Sequence, residues 1–246
     1  MYTRDKFNKL MEDCGPVWND IFKQTIAVSE NNTKINYGIN ELIKKYNDKK
    51  KIYPSFENIF KPFKQCSLYE ISVIIFGYKP TQKPNLNNII DELYDEYKYT
   101  ITKPNFKLDF KENYKNIFKN WNQQGVLTLY YCLTYDKDDA KFHTELWRMF
   151  MNDIIKTIQL KQKYIVFLLW ENGLGEIPII LREDKKDDSK KTKTKNDKDK
   201  RKEELTYYLL QRDSTQVRNN RFQGCNHFII TNHYLTQWFK PAINWI

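Results

Sequence analysis

Lys79-Pro80-Thr81-Gln82 directly follows the apolar stretch Val73-Ile74-Ile75-Phe76-Gly77-Tyr78. The run Ile71–Phe76 has the unbroken hydrophobicity of a buried strand, and Gly77 and Pro80 force a tight loop at its carboxyl end. Ligands of open α/β sheets meet the protein at that end of a strand. Hydrolytic chemistry in such a loop calls for a carboxylate or a histidine. This loop supplies an ammonium, a hydroxyl and an amide, so a site-like position carries residues ill suited to proton transfer. Lys79 could act as an amine nucleophile if desolvated; the plainer alternatives are a phosphate contact and a solvated charge.

The elements that must position this loop follow from apolar spacing. Leu86, Ile89, Ile90, Leu93, Tyr94 and Tyr97 have helical periodicity, with Asn85 as N-cap behind Pro84. Trp147, Phe150, Met151, Ile154, Ile155 and Ile158 form a second helical face, and Phe228, Leu235, Trp238 and Phe239 a third, stopped by Pro241. These stripes are read as core. Strands are expected at Ile71–Phe76, Val126–Leu129, Tyr164–Trp170 and Thr206–Leu210. Strands alternating with helices predict an α/β fold: a central four-stranded, mainly parallel sheet flanked by helices. Four loops should then converge at the carboxyl edge: Gly77–Gln82, Tyr130–Asp136, Glu171–Gly175 and Gln211–Phe222. Before Lys51 the sequence indicates little beyond a helix around Trp18.

Composition narrows the partners. The 246 residues include 41 Lys and Arg against 31 Asp and Glu, a formal net charge of +10. That balance favours a nucleic acid or an acidic surface, although AT-rich coding bias accounts for it equally well. The segment from Glu183 to Glu204 holds ten basic and eight acidic residues and no apolar one, so it contributes only +2 and is expected to be a disordered surface insert. Cys14, Cys66, Cys132 and Cys225 lack the paired spacing of metal or redox sites. With three histidines in all, no metal and no cofactor are expected. No apolar signal core and no membrane-length run are visible, which gives the expectation of a single intracellular domain over 1–246, at the nucleus or a cytoplasmic replication site.

Several segments, in order, resemble the uracil-DNA glycosylase family. Ile52-Tyr53-Pro54-Ser55-Phe56-Glu57-Asn58-Ile59-Phe60 resembles IYPPPExVF. Cys66 and Val73–Gly77 resemble the Cys and VVILG ahead of the family's water-activating loop, and Pro84-Asn85-Leu86-Asn87-Asn88-Ile89 resembles PSLENI. Trp121-Asn122-Gln123-Gln124-Gly125-Val126-Leu127 is similar to WAxQGVLLLN, continued by Leu133-Thr134. Val166-Phe167-Leu168-Leu169-Trp170 is similar to VFLLWG, Gly224-Cys225-Asn226-His227-Phe228 to GCRHF, Thr231-Asn232 to TN, and Pro241 to Trp245 to KPIDW. Each motif alone is weak; the ordered series over most of the chain from Ile52 is specific.

The resemblance implies a protein that extrudes a uracil nucleotide from DNA and cuts its N-glycosidic bond. Five groups do this in the family: an Asp for the cationic sugar and the water, a His for the uracil anion, an Asn that reads the base, a Phe that stacks on it and a Tyr that excludes thymine. None survives alignment. The Asp of GQDPYH is Lys79, and the Tyr is Thr81. At ~4 Å and an effective dielectric near 20, reversing that charge shifts roughly 4 kcal/mol to the wrong sign. The stacking Phe goes with residues missing between Gln82 and Pro84. The Asn is Tyr130, whose bulk could fill the pocket and whose phenol cannot copy two-sided amide readout. In the last loop the His becomes Ser214 and the intercalating Leu becomes Arg218. His143 and His227 match structural histidines of the family. Asp213 is the best substitute carboxylate, against the plainer role of a turn residue.

Two functions remain open at this point. One is a catalytically inactive relative that binds DNA or serves as a replication or repair accessory, docking a polymerase or another protein. Its phosphate contacts would be Lys79, Arg212, Arg218, Arg221, Lys50 and Lys51, with Tyr53 on the DNA side. The alternative is an active divergent glycosylase that excises uracil or another base through Asp213 or Lys79. A third role is pure protein interaction, as a scaffold or a DNA mimic; the net charge of +10 argues against the mimicry.

Overall fold

The computed structural model describes residues 1–28, 32–81, 86–181, 207–212, 214 and 222–246. The proposed N-cap Asn85 and the charged insert lie outside the described residues.

The centre is a four-stranded parallel sheet: β1 (Val73–Gly77), β2 (Val126–Tyr130), β3 (Ile165–Leu169) and β4 (Tyr207–Gln211). Its order is β2-β1-β3-β4, with Val73 opposite Val126 and Val166, and Ile165 opposite Tyr207. Alternate residues of each strand point to opposite faces. Ile74, Phe76, Leu127, Leu129, Phe167 and Leu169 enter one core; Val73, Ile75, Val126, Val166 and Leu168 enter the other. Burial on both faces explains why the strands read as continuous apolar runs.

Helices cover both faces. On the first lie α1 (Arg4–Glu12), α2 (Pro16–Val28), α3 (Asn32–Asn47), α4 (Lys61–Gln65) and α7 (Ala140–Lys161). On the second lie α5 (Asn87–Tyr97), α6 (Phe106–Gln123) and α9 (His227–Gln237). A further helix, α8, covers 176–181. The start of α9 is clamped to α5: Glu92 accepts the amides of Gly224 (2.6 Å) and Asn226 (2.7 Å), and Glu96 those of Phe228 (3.3 Å) and Ile229 (2.7 Å). The amides of Asn226, Phe228 and Ile229 are donors that a helix N-terminus leaves without intrahelical partners.

The sheet agrees with the sequence reading, while several boundaries and one core assignment do not. β1 begins at Val73, because the Ile71 amide is used by Leu68 in a 3-10 turn. β3 begins at Ile165, because Tyr164 has a left-handed backbone (φ 64) that a strand cannot hold. The third stripe ends early: α9 stops at Gln237, and Phe239 is 98% exposed rather than core. The N-terminal region holds three helices, not one.

Candidate functional site at the carboxyl ends of the strands

The four loops converge as the parallel topology requires. The amides of Tyr131 and Cys132 donate to the carbonyls of Gly77 and Tyr78, both at 2.9 Å, zipping the loops after β1 and β2 together. The Trp170 amide donates to the Phe76 carbonyl (3.0 Å), bringing in the loop after β3. The Arg212 amide donates to the Leu169 carbonyl (2.9 Å), and the Ser214 amide and Oγ to the Trp170 carbonyl (2.7 and 2.8 Å), adding the loop after β4.

At this edge the Tyr130 ring packs against Gly77: a Cβ there would stand 2.8 Å from a ring carbon. Burial, then the nearby charge of Glu171, pushes the Tyr130 phenol up to about 12, so it stays a neutral hydroxyl. Glu171 completes the closure. Its Oε2 accepts the Tyr78 amide at 2.6 Å, and its Oε1 is 3.4 Å from the same Gly77 Cβ position. A phenol and a carboxylate of this chain therefore occupy the space beside Gly77 and the first amide of the loop.

Lys79 is turned elsewhere. Its Nζ donates to the Tyr135 hydroxyl (3.0 Å) and lies 4.1 Å from the centre of that ring, a cation–π geometry. Tyr135 in turn pairs with Tyr53 through two backbone bonds, at 2.9 and 2.7 Å. Lys79 and Tyr53 are thus brought together by Tyr135, which the sequence reading did not single out. Lys50 and Lys51 are exposed just ahead of Tyr53, and Arg212 and Thr81 are exposed on their loops. Arg218, Arg221 and Asp213 lie outside the described residues. Ser214 is buried, and its carbonyl accepts from Asn88 Nδ2 at 2.7 Å.

Neither buried histidine is poised for acid–base work. The His227 Nδ1 accepts from Trp170 Nε1 (3.0 Å), a donor only, which fixes a neutral imidazole with its proton on Nε2. The Thr134 hydroxyl accepts from Trp147 Nε1 (2.6 Å), leaving its own proton for His143 Nδ1 (2.8 Å). Burial lowers both histidines to about 4. Among the described residues no group of three His, Cys, Asp or Glu could hold a metal ion, and no helix is long and apolar enough to cross a membrane.

Glu171 was missed because nothing in its local sequence marks it. It follows Trp170 where the resembled VFLLWG pattern has glycine, and only that substitution, set beside the sheet topology, could have pointed to it.

No protein-family model matches the chain. It is 28% identical over 251 residues to the uracil-DNA glycosylase of Buchnera aphidicola subsp. Acyrthosiphon pisum, covering 93% of this chain and 97% of that protein. It is likewise 28% identical to the uracil-DNA glycosylase of Campylobacter curvus, with 79% of each chain covered. Among solved structures, that of mimivirus uracil-DNA glycosylase superposes with a TM-score of 0.63 at 12% identity, covering 97% of this chain and 88% of that one. A mimivirus UNG variant in complex with UGI gives 0.67 at 16% identity, covering 99% and 96%.

Proposed function

We propose that this chain, which belongs to the uracil-DNA glycosylase family, is a DNA-repair accessory that engages DNA at the carboxyl edge of its sheet and holds it there without cutting the glycosidic bond. The closure of the strand end by Tyr130 and Glu171 carries this reading. A base entering beside Gly77 would have to displace a half-buried phenol and compete with a carboxylate for the Tyr78 amide. Lys79, Lys50, Lys51 and Arg212 supply cations for phosphates, whose recognition needs no base readout. Each phosphate neutralised by a cation steepens the salt dependence of binding by about one unit.

One observation favours a second reading, an active glycosylase. Glu171 brings a carboxylate to the strand end, the group that Lys79 has replaced in the first loop, and the curated relatives are named for excision. A single experiment separates the two. A binding titration on uracil-containing and plain duplexes over a salt series is run beside an assay for released base. Binding with a steep salt slope, and no uracil released, is expected. Uracil released by the wild-type protein and abolished in Glu171→Gln would replace the first reading with the second.

A further inference from the structure

At the opposite, amino end of the sheet the chain presents an aromatic residue to water on a strained backbone. Phe239 is 98% exposed and has φ 56. The conformation follows from how α9 ends: the Phe239 amide donates to the Thr236 carbonyl (3.0 Å) and the Lys240 amide to the Leu235 carbonyl (2.9 Å). This paired closure puts one residue in the left-handed region, a place normally taken by glycine. A phenylalanine there bears both the left-handed strain and an unburied ring.

The residue before Phe239, Trp238, belongs to an aromatic cluster. The rings of Tyr208 and Tyr234 stack at 3.4 Å with 10° between planes; Trp238 lies 5.0 Å from Tyr208 and 5.4 Å from Tyr164. What surrounds it is cationic. Lys161 and Lys163 are exposed, and Lys240 Nζ reaches the Lys163 carbonyl at 3.4 Å. Beyond Lys240, the segments 154–164 and 227–246 contain three lysines, Lys156, Lys161 and Lys163, and no acidic side chain. A second copy of this chain would bring like charge to the same corner. A partner with negative charge and flat apolar faces fits both features, and single-stranded nucleic acid combines the two in every nucleotide.

We infer that the Phe239 corner is a second nucleic-acid contact, a stacking platform for an unpaired base whose flanking phosphates lie on Lys161, Lys163 and Lys240. The inference rests on the DNA-binding reading above and extends it to a separate place. β3 runs between the two ends of the sheet, so the corner stands about 17 Å from the strand-end face.

Phe239→Gly tests this without a folding ambiguity, because glycine suits the helix closure. The variant should raise the Tm by roughly 2–4 °C. It should also weaken binding of a fluorescent ten-nucleotide oligo-dT by roughly 5- to 150-fold. Phe239→Trp should retain the oligonucleotide. Duplex binding through Lys79 and Arg212 is unchanged in Phe239→Gly, so the strand-end reading and this one fail separately. A stabilised Phe239→Gly variant that binds oligo-dT as tightly as the wild type overturns the inference.

Discussion

Glu171→Gln is the most informative single change in this protein. It keeps an oxygen acceptor for the Tyr78 amide and removes the charge. The present bond, 2.6 Å, has the short length of a charge-assisted contact. Hydrogen bonds to charged groups contribute roughly 1.5–3 kcal/mol and neutral ones roughly 0.5–1.5 kcal/mol, so the exchange should cost about 1 kcal/mol. The Tyr130 phenol is neutral with or without the carboxylate, because burial is the larger cause of its raised pKa. Urea unfolding reads the cost directly: the midpoint should fall with the slope unchanged. Glu171→Ala should cost more, since it leaves the amide unpaired. If Glu171→Gln is neutral or stabilising, the carboxylate is not committed to the backbone. It would then be available as a general base, and the closed-site reasoning fails.

Two further outcomes bear on the frame that holds the site. Gly125 has φ +85, and a Cβ there would stand 2.1 Å from the Glu70 carbonyl oxygen, so Gly125→Ala should cost several kcal/mol and displace the start of β2, seen as a large drop in Tm. In acid, the two buried histidines and Glu96 act in opposite senses. His143 and His227, lowered from 6.5 to about 4, contribute stability that is complete above pH 6.5 and lost as pH falls towards 4, up to about 3 kcal/mol each. Glu96, raised by burial to about 7, contributes stability that is complete below about pH 4.5 and lost as pH rises through 7. Stability should therefore fall between pH 6.5 and 4, and fall more steeply in Glu96→Gln, as followed by Tm across that range.

The sheet was legible because β1 and β3 are buried on both faces and so are apolar without interruption, and β2 is broken only by Thr128 before its last residues. The helix faces of α5 and α7 were legible for the related reason that one continuous stripe meets the core. α1 was not, because Phe7 and Met11 are its only buried residues. α6 was hidden in the same way: over Phe106–Gln123 only Phe110, Trp121 and Asn122 are buried, and its remaining positions are largely polar. α3 does carry a helical series in Ile35, Ile39, Leu42, Ile43 and Tyr46, and could have been read. At the site, Lys79, Thr81, Tyr130 and Ser214 were found by alignment to motifs. Glu171 and Tyr135 were not, because their roles arise across 93 and 56 positions of chain.

The replacements at the strand end are coupled rather than independent losses. With Lys79 drawn onto Tyr135, the first loop presents its cation to the side of the cleft where Tyr53 and the exposed Lys50 and Lys51 lie. The backbone amide that this loop would offer a ligand is taken by Glu171, and the space beside Gly77 is taken by Tyr130. A phosphate gains from the cations at the rim and needs nothing from that space, whereas a base gains nothing until both internal groups move. The strand end therefore favours backbone contact over base insertion. Restoring a carboxylate at position 79 alone would put a second anion beside a site still closed, and should weaken DNA binding without producing excision.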